Sequence, residues 1–378
     1  MKFDIYKASI KLHKKYGGKI GTLIKTPLDN KLDLSLAYTP GVAGVSLELS
    51  KNPKKAVELS LKKNTVAIVS DGSAVLGLGN IGAYGAIPVM EGKALLFKKF
   101  GDVDAFPICL NTQNNEEIIS IVKNIAPVFG GINLEDIEAP RCFEIERSLI
   151  KELDIPVMHD DQHGTAVVVL AALINALKVV KKDKSAKIVI NGAGAAGTAV
   201  CDLLIQYGFK NIVVCDSKGA ICCNNKTLNS EKQRIAKFTN LKKETGDIHK
   251  IIKGKDVFIG VSKGNLITKD CVSKMNKNAI IFAMANPTPE IMPDEAKLGG
   301  AKVIATGRSD YDNQINNVLA FPGIFRGALD NKVKKITNKM LIKAAINLSS
   351  LIKNPTAINI IPSPFDKGVV KAVSSAIK

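Results

Sequence analysis

Two pairs of adjacent carboxylates each follow an apolar run that is typical of a buried β-strand. Glu135 and Asp136 follow one run, and Asp160 and Asp161 follow the next one along the chain. The strand ends of an α/β sheet are where ligand sites form, and clustered carboxylate oxygens suit hard cations. The pairs therefore predict a site for Mg²⁺ or Mn²⁺. The alternative is that all four are solvated loop acids that bind nothing.

Three other kinds of side chain could take part in chemistry. Lys93 begins an apolar helix predicted over 93–100, where a lysine either extends to solvent or is a desolvated amine with a lowered pKa, able to act as a base. The local sequence leaves both open. Around Tyr38 the local sequence favours a packed aromatic ring whose hydroxyl group is hydrogen-bonded. His159 and His163 have the spacing of a zinc pair, but the residues between them do not match H-E-x-x-H, which disfavours zinc hydrolysis.

A glycine-rich turn in the second half of the chain is the strongest local motif. A strand predicted over 188–190 leads into G-A-G-A-A-G, followed by a helix over 198–207 and a second strand that ends in an acid. This order, with the acid about twenty residues past the glycines, is typical of a dinucleotide-binding unit. The alternative is a glycine turn that only packs helix against strand. The predicted cofactor-binding residues are Gly192, Gly194, Ala195, Ala196, Gly197 and Asp216.

Strands and helices alternate around these residues, which indicates an α/β fold. Strands are predicted over 65–70 and 103–109, and a helix over 231–243. The segment 23–36 is predicted to be a loop, and 321–323 an apolar turn. A second G-x-G-x-x-G over 77–82 lacks a clear following helix, so it is predicted to line a cleft.

The length of 378 residues and the apolar fraction of 46% predict two domains with full cores. The N-terminus lacks the apolar run of a signal peptide, and the stretch 166–180 is short for a membrane span, so we expect a buried helix and no membrane partner. Seven cysteines without C-x-x-C predict free thiols in the cytoplasm.

The net charge of +18 is carried almost entirely by lysine. Arginine, which phosphate and base recognition favour, occurs five times, and aromatic residues make up 5% of the chain. The lysines are scattered, so the composition predicts a solvated basic surface and no nucleic-acid partner. The charge could still attract an anionic substrate.

Along nearly its whole length the sequence resembles malic enzymes, especially the short bacterial type. The resemblance rests on L-S-L-A-Y-T-P-G-V-A from Leu34, S-D-G-S-A-V-L-G-L-G-N-I-G from Ser70, P-V-M-E-G-K from Pro88, H-D-D-Q-H-G-T-A from His159, A-N-P-T-P-E from Ala285 and N-Q-I-N-N-V-L-A-F-P-G-I-F-R-G-A-L-D from Asn313. It implies an N-terminal catalytic domain over 1–160 and a Rossmann-like NAD(P)-binding domain with C-terminal helices over 161–378. It also implies a homodimer.

The reaction that the resemblance implies is oxidative decarboxylation of (S)-malate to pyruvate and CO₂. Asp216 favours NAD by accepting from the ribose 2′-hydroxyl, while Lys218 could offset this and admit NADP. The implied roles are metal binding by Glu135, Asp136 and Asp161, general base catalysis by Lys93, tuning of Lys93 by Asp160, protonation of C3 by Tyr38, and substrate or ribose binding by Asn286 and Asn317.

Larger members of this family carry an arginine where this chain has Ala74, so the partner of a substrate carboxylate is not identified. Two rival functions stay open at this stage. A Rossmann dehydrogenase without decarboxylation would transfer hydride without needing a metal. A basic nucleic-acid-binding protein would bind in a salt-dependent way without turnover.

Overall fold

Two β-sheets form the framework of the protein. The computed structural model describes residues 4–75, 77–223 and 227–378, so Leu76 of the predicted glycine-rich segment lies outside the described residues. The strands are β1 (Thr65–Ser70), β2 (Asp104–Cys109), β3 (Gly131–Leu134), β4 (Val157–His159), β5 (Ile188–Asn191), β6 (Ile212–Asp216), β7 (Gly219–Ala220), β8 (Val257–Gly260), β9 (Ala279–Ala283) and β10 (Ala301–Thr306).

Sixteen α-helices connect and cover the strands in the described part of the chain. They are α1 (Ile5–Tyr16), α2 (Lys31–Ala37), α3 (Val42–Lys51), α4 (Ala56–Leu59), α5 (Gly82–Gly101), α6 (Asn115–Ile125), α7 (Arg141–Glu152), α8 (Asp160–Val180), α9 (Ala195–Tyr207), α10 (Ser230–Ala236), α11 (Ile248–Ile251), α12 (Lys269–Ser273), α13 (Pro293–Leu298), α14 (Phe321–Asp330), α15 (Asn338–Ser349) and α16 (Val369–Ser374).

The first sheet is parallel and has the strand order β2-β1-β3-β4. Its register pairs Val69 with Leu134, and Leu134 with His159. The residues that follow β1, β3 and β4 therefore meet at one edge of the sheet. This edge carries both acid pairs.

The second sheet has the order β10-β9-β8-β5-β6-β7 and is parallel except for the short β7. Its central strands are fully buried apolar runs, as parallel strands covered by helices on both faces must be. Parallel strands in this order, with a glycine turn after β5, confirm the predicted Rossmann-like half.

Helix α8 joins the two halves. It is long and apolar enough to cross a membrane by length and composition, but 72% of its most apolar window is buried inside the protein. One continuous apolar core runs from Val66 and Ile68 in β1 through α8 to Ile188 and Ile190 in β5. The helix predicted over 166–180 is thus a core helix.

The last helices fold back onto the first half. Phe321 and Phe325 of α14 both pack against Phe97 of α5, with ring centroids 4.7 and 5.5 Å apart. Helix α14, near the end of the chain, therefore contacts α5 of the first half.

Residues 4–64, the N-terminal arm, contain no buried residue. The arm contacts the first half through a few polar groups, such as Lys19 Nζ, which donates to the Pro88 carbonyl, and Lys25, which pairs with Asp104. Large apolar side chains are left exposed along it, including Leu23 at 81% and Ile24 at 76%.

Two predicted boundaries in the first half are wrong. The segment predicted as a loop contains α2, because Asn30 caps it by accepting from the Asp33 N–H. Helix α5 begins at Gly82, eleven residues before the predicted start at Lys93. Its first turns hold Gly85 and Pro88, which obscure the helical pattern, and packing against β2 outweighs them.

Two predictions in the second half are also wrong. The helix predicted over 231–243 ends at Ala236, where the chain turns back to bond with β6 through Asn240. The residues predicted as an apolar turn, 321–323, begin α14. A proline in the first turn of a helix lacks only an N–H that would be unpaired anyway, so Pro322 fits there.

Candidate active site

The carboxyl ends of β3 and β4 bring both acid pairs together. Glu135 and Asp136 follow β3, and Asp160 and Asp161 form the first turn of α8 directly after β4. Glu135, Asp136 and Asp161 each offer a carboxylate oxygen within 4.8 Å of the others. Among the residues that the structure describes, this is the one group of three or more acidic, histidine or cysteine side chains that could share a metal ion.

The backbone around Asp136 fixes the two pairs relative to each other. Its φ of +53° lies in the left-handed region, which non-glycine residues rarely adopt outside constrained sites. The Asp136 N–H donates to Oδ2 of Asp161 at 2.9 Å, and its carbonyl accepts from the Ala74 N–H at 2.9 Å. The ends of β1, β3 and β4 are therefore tied at one point.

Lys93 projects from the middle of α5 into this cluster. Its side chain is 8% exposed, and Nζ lies 2.5 Å from Asp160 Oδ2 and 2.6 Å from Glu135 Oε1. The Phe321 ring lies 4.3 Å from Nζ, measured to the ring centroid, and gives the cation a favourable π face. Of the two alternatives left open for Lys93, the structure shows the buried amine, but the neighbouring carboxylates raise its pKa and do not leave it lowered as expected.

Four carboxyl groups surround this single ammonium group. Burial raises the pKa of Glu135 well above its usual range, although Lys93 opposes the shift. Burial and the Asp161 carboxylate raise the pKa of Asp136 to about 8, and burial raises the pKa of Asp160 to about 6. Burial alone would lower the pKa of Lys93, but Asp160 and Glu135 raise it above its ordinary value. The cluster thus keeps Lys93 charged, and its remaining carboxyl groups hold protons that a second cation would have to displace.

A divalent metal ion fits this donor set. Oδ2 of Asp136 and Oδ1 of Asp160 are buried and have no hydrogen-bond partner in the described ranges, although buried polar atoms are normally paired. Carboxylate oxygens are the ligands that Mg²⁺ and Mn²⁺ prefer. Glu135, Asp136 and Asp161 are the residues that would hold the ion, next to the Lys93–Asp160 pair.

The two histidines do not form a zinc pair. His163 Nε2 lies 3.0 Å from Oε1 of Glu146, and the His159 backbone N–H donates to the same carboxylate at 2.7 Å. Glu146 of α7 therefore holds the start of α8 in place through these two contacts. The His159 ring also lies beside the acidic cluster, with Nδ1 3.9 Å from Oδ2 of Asp161.

The predicted dinucleotide turn has the geometry that its glycines require. Gly192 has a φ of +118°, and a Cβ on Gly197 would lie 1.7 Å from the Gly192 carbonyl oxygen. A Cβ on Gly194 would meet nothing within 4 Å, so this position is open to a ligand. A cleft of about 600 Å³ adjoins the turn and is lined by Asp216 and, from the first half, by Phe143.

Lys232 is a residue of this cleft that the sequence does not single out. Its Nζ pairs with Asp216 Oδ2 at 2.6 Å, whereas Lys218 contributes a backbone N–H to Asp216. The expected counter-charge to Asp216 therefore comes from Lys232. No motif links two residues sixteen positions apart across a helix start, so the pairing becomes visible only in the fold.

Of the two predicted asparagines, Asn317 lies beside the acid-bearing turn and Asn286 lies beside the glycine-rich loop after β1. A Cβ on Gly164 would lie 3.3 Å from Cβ of Asn317, which places Asn317 against the first turn of α8. Asn286 follows β9, and a Cβ on Gly77 would lie 2.6 Å from the Asn286 carbonyl oxygen. The glycine-rich loop after β1 thus touches the second half, and α5 begins at its last glycine, Gly82, although the sequence indicated no clear following helix.

Tyr38 is not brought to the cluster within one chain. It ends α2 on the N-terminal arm, is 67% exposed, and its hydroxyl makes no hydrogen bond to any described residue. The packed tyrosine favoured by the local sequence is therefore not observed.

Comparison with known proteins identifies the family. The sequence model of the malic enzyme N-terminal domain matches residues 17–120, and that of the malic enzyme NAD-binding domain matches residues 162–366. The chain belongs to the malic enzyme family. Both the resemblance and the fold class predicted from the sequence are confirmed.

Malic enzymes of known sequence and structure match almost the entire chain. It is 52% identical to the bifunctional malic/malolactic enzyme of Bacillus subtilis, over 98% of this chain and 91% of that one. It is 55% identical to the NAD-dependent malic enzyme of Geobacillus stearothermophilus, over 96% of this chain and 76% of that one. The crystal structure of the NAD-dependent malic enzyme of Thermotoga maritima superposes with a TM-score of 0.95 at 49% identity, covering 98% of each chain.

Proposed function

We propose that this protein catalyses the metal-dependent oxidative decarboxylation of (S)-malate to pyruvate and CO₂, with reduction of NAD or NADP. The observation that carries the proposal is the buried Lys93 between Asp160 and Glu135, in a malic enzyme chain with a dinucleotide turn. A simple dehydrogenase needs a base but not three converging carboxylates. Those carboxylates would also repel the phosphates of a nucleic acid.

Glu135, Asp136 and Asp161 would hold Mg²⁺ or Mn²⁺. The bound ion supplies Lewis acidity, which lowers the pKa of the malate C2 hydroxyl and draws electron density away as CO₂ leaves. The convergence of the three carboxylates and the unpaired Oδ2 of Asp136 support this assignment. Asn286 and Asn317 would hold the substrate or the nicotinamide ribose.

Lys93 would accept the C2 hydroxyl proton as hydride leaves C2 for the nicotinamide. It must first lose its own proton, which Asp160 and Glu135 oppose. Glu135 already has one oxygen on the ammonium group, and a metal ion bound to the same carboxylate would draw negative charge away from Lys93, so the pKa of the amine would fall. Asp160 would then orient Lys93 and pass its proton onward.

Tyr38 would protonate C3 of the enolpyruvate that remains after CO₂ leaves. In a single chain it lies on the exposed N-terminal arm. We infer that the protein is a homodimer in which a second copy covers the exposed apolar side chains between residues 5 and 47 of this arm. Many large apolar side chains exposed along one segment are typical of a protein interface.

Cofactor choice depends on Asp216 and Lys232. Asp216 can accept hydrogen bonds from a ribose diol, which supports NAD, and Lys232 beside it could pair with a 2′-phosphate, which supports NADP. Because Lys232 is already neutralised by Asp216, we propose NAD as the preferred cofactor.

We also propose a domain boundary at 160/161, where β4 passes into α8. We propose that the enzyme is in the cytoplasm, in keeping with its seven free thiols.

The test is product analysis with purified full-length protein, (S)-malate and Mn²⁺, with NAD and NADP in parallel. The proposal predicts one pyruvate for each reduced cofactor and a higher kcat/KM for NAD. Oxaloacetate that accumulates without pyruvate would contradict it and indicate a simple dehydrogenase.

Decarboxylation to lactate is a second candidate function. The similarity to a Bacillus subtilis enzyme named as bifunctional malic/malolactic favours it. It would require pyruvate to be reduced again before it leaves the site. The same reaction mixture, analysed for lactate as well as pyruvate, distinguishes the two: lactate without net reduced cofactor indicates the malolactic reaction.

A further inference from the structure

A second cleft lies at the opposite edge of the first sheet from the acidic cluster. It has a volume of about 540 Å³ and lies where β3 and β4 begin, beside Gly130 and Pro156. Four segments line it, within 53–63, 123–130, 153–156 and 328–334. The first three belong to the first half of the chain, and the last comprises the end of α14 and the four residues after it, so the cleft is formed where the two halves meet.

The inside of this cleft is apolar and its rim is basic. Val57, Leu153, Ile155, Leu329 and Val333 are half-buried and form the apolar lining. Six lysines surround them, against one lining acid, Asp154. The rim lysines are Lys54, Lys62, Lys63, Lys123, Lys332 and Lys334. We refer to it as the lysine-rimmed cleft.

Half of the rim lysines already have partners. Lys62 Nζ donates to the carbonyls of Ala126 and Phe129, Lys123 pairs with Glu152, and Lys334 lies 3.4 Å from Asp154. The other half do not: Lys54, Lys63 and Lys332 make no ion pair with any residue in the described ranges. Three unneutralised ammonium groups thus surround an apolar cavity.

We propose that the lysine-rimmed cleft binds a small anionic amphiphile, a carboxylate or phosphate ester with an apolar body. The apolar lining would take the body and the unpaired lysines would pair with the head group. The volume of the cleft, about 540 Å³, is in the range that one small molecule fills, so the proposed ligand is a single molecule and not a bilayer surface. The ligand would tie α14 to the first sheet. The other end of α14 carries Phe321, against Lys93.

The test is calorimetric titration of the full chain with decanoate below its micellar concentration, with the neutral decanoyl-N-methylglucamide as the tail-matched comparison. The key variant is Lys54→Glu/Lys332→Glu. Lys353→Glu/Lys367→Glu makes the same charge change at exposed positions away from the cleft. The readout is independent of catalysis, so its result does not depend on the proposed function.

We expect one decanoate per chain, binding about tenfold weaker in the cleft variant and unchanged in the control, with the glucamide also about tenfold weaker. Decanoate should also raise the Tm of the wild type but not of the cleft variant. If the double variant fails to fold, Lys332→Gln alone should still weaken binding. The proposal would be overturned if decanoate bound the cleft variant as tightly as the control variant, or if the glucamide bound the wild type as tightly as decanoate. It would also be overturned if decanoate did not bind at all. Lysine-dependent sedimentation with phosphatidylglycerol vesicles, without uptake of monomeric decanoate, would overturn it in favour of a membrane surface.

Discussion

Lys93 is the residue on which the proposed chemistry depends most. Its Nζ is held by two carboxylates and a ring face, and no solvent-exposed lysine of α5 has these contacts. A base that is buried among carboxylates is held in place but remains protonated. The same contacts that position Lys93 therefore have to be rearranged before it can accept a proton.

Replacing Lys93 with methionine should lower kcat about 10²- to 10⁴-fold, because a positioned general base contributes this much. Methionine keeps most of the side-chain volume, so circular dichroism should be unchanged. Lys99→Met on the exposed face of the same helix is the matched control and should keep full activity. Turnover of Lys93→Met at the wild-type rate would show that another group is the base.

Metal binding should depend on pH in a direction set by Asp136. Its pKa of about 8 means that the group is mostly protonated at pH 7, and a metal ion must displace that proton. We expect Mn²⁺ affinity, measured by calorimetry, to rise about tenfold per pH unit between pH 6 and 8. Glu138→Gln, an exposed neighbour, should keep this slope, and Asp136→Asn should lose tight binding. Affinity independent of pH would contradict the charge distribution described here.

The same raised pKa predicts how the metal-free protein responds to pH. The folded state holds the Asp136 proton more tightly than the unfolded state, so stability is lost as pH rises toward about 8. Thermal unfolding with chelator should show a lower Tm at pH 8 than at pH 6. The difference should shrink in Asp136→Asn and on addition of Mg²⁺.

At the residue scale, the sequence predicts groups that lie within one local motif. It does not predict contacts between residues that are far apart in the chain. Adjacent acids after apolar runs predicted the cluster that the structure shows. The Phe321 ring against Lys93 and the Lys232–Asp216 pair could not be predicted. They join elements whose relative positions follow from tertiary packing alone.

Among the secondary-structure elements, the first turn of α8 is the one that positions the site. It carries Asp160 and Asp161, and it has room for them because residue 164, one turn later, is glycine. A Cβ on Gly164 would lie 1.9 Å from Oδ1 of Asp160. The carboxylate could then not keep its place on Lys93.

Gly164→Ala should therefore lower kcat/KM about 10- to 100-fold, which corresponds to about 1–3 kcal/mol of lost transition-state stabilisation. Overpacking costs about 1–3 kcal/mol of stability and the helix propensity of alanine offsets about 1 kcal/mol of it, so the Tm should fall by only a few degrees. Thr165→Ala, the adjacent and half-buried position, adds no atom near Asp160 and serves as control. Wild-type kinetics in Gly164→Ala would mean that Asp160 does not need its observed position.

Whole elements were predicted where their pattern is continuous and missed where it is interrupted. The unbroken apolar runs of β1, β5 and β6 predict the strands that the structure shows, and α9 ends at Tyr207 as predicted. The start of α5 was missed because glycine and proline occupy its first turns. Its helical state is stabilised by packing against the first sheet, which a local pattern does not contain.

On the scale of the whole molecule, the N-terminal arm is the feature that a single chain does not explain. It leaves many large apolar side chains in solvent and includes Tyr38. We predict that Leu23→Asp/Ile24→Asp shifts the protein from dimer to monomer in sedimentation velocity and lowers kcat. Leu298→Asp, at an equally exposed position in the second half, should remain a dimer. A wild-type protein that sediments as a monomer would contradict the inferred homodimer.

The most direct test of the account is the absorbance of reduced nicotinamide in a mixture of the protein, (S)-malate and NAD. Mn²⁺ is removed with a chelator and then restored in excess. The account predicts that reduction stops without the metal ion and resumes when it returns, and that Glu135→Gln abolishes it in both conditions. Reduction that continues unchanged in the presence of the chelator would contradict the assignment of the acidic cluster as the metal-binding active site.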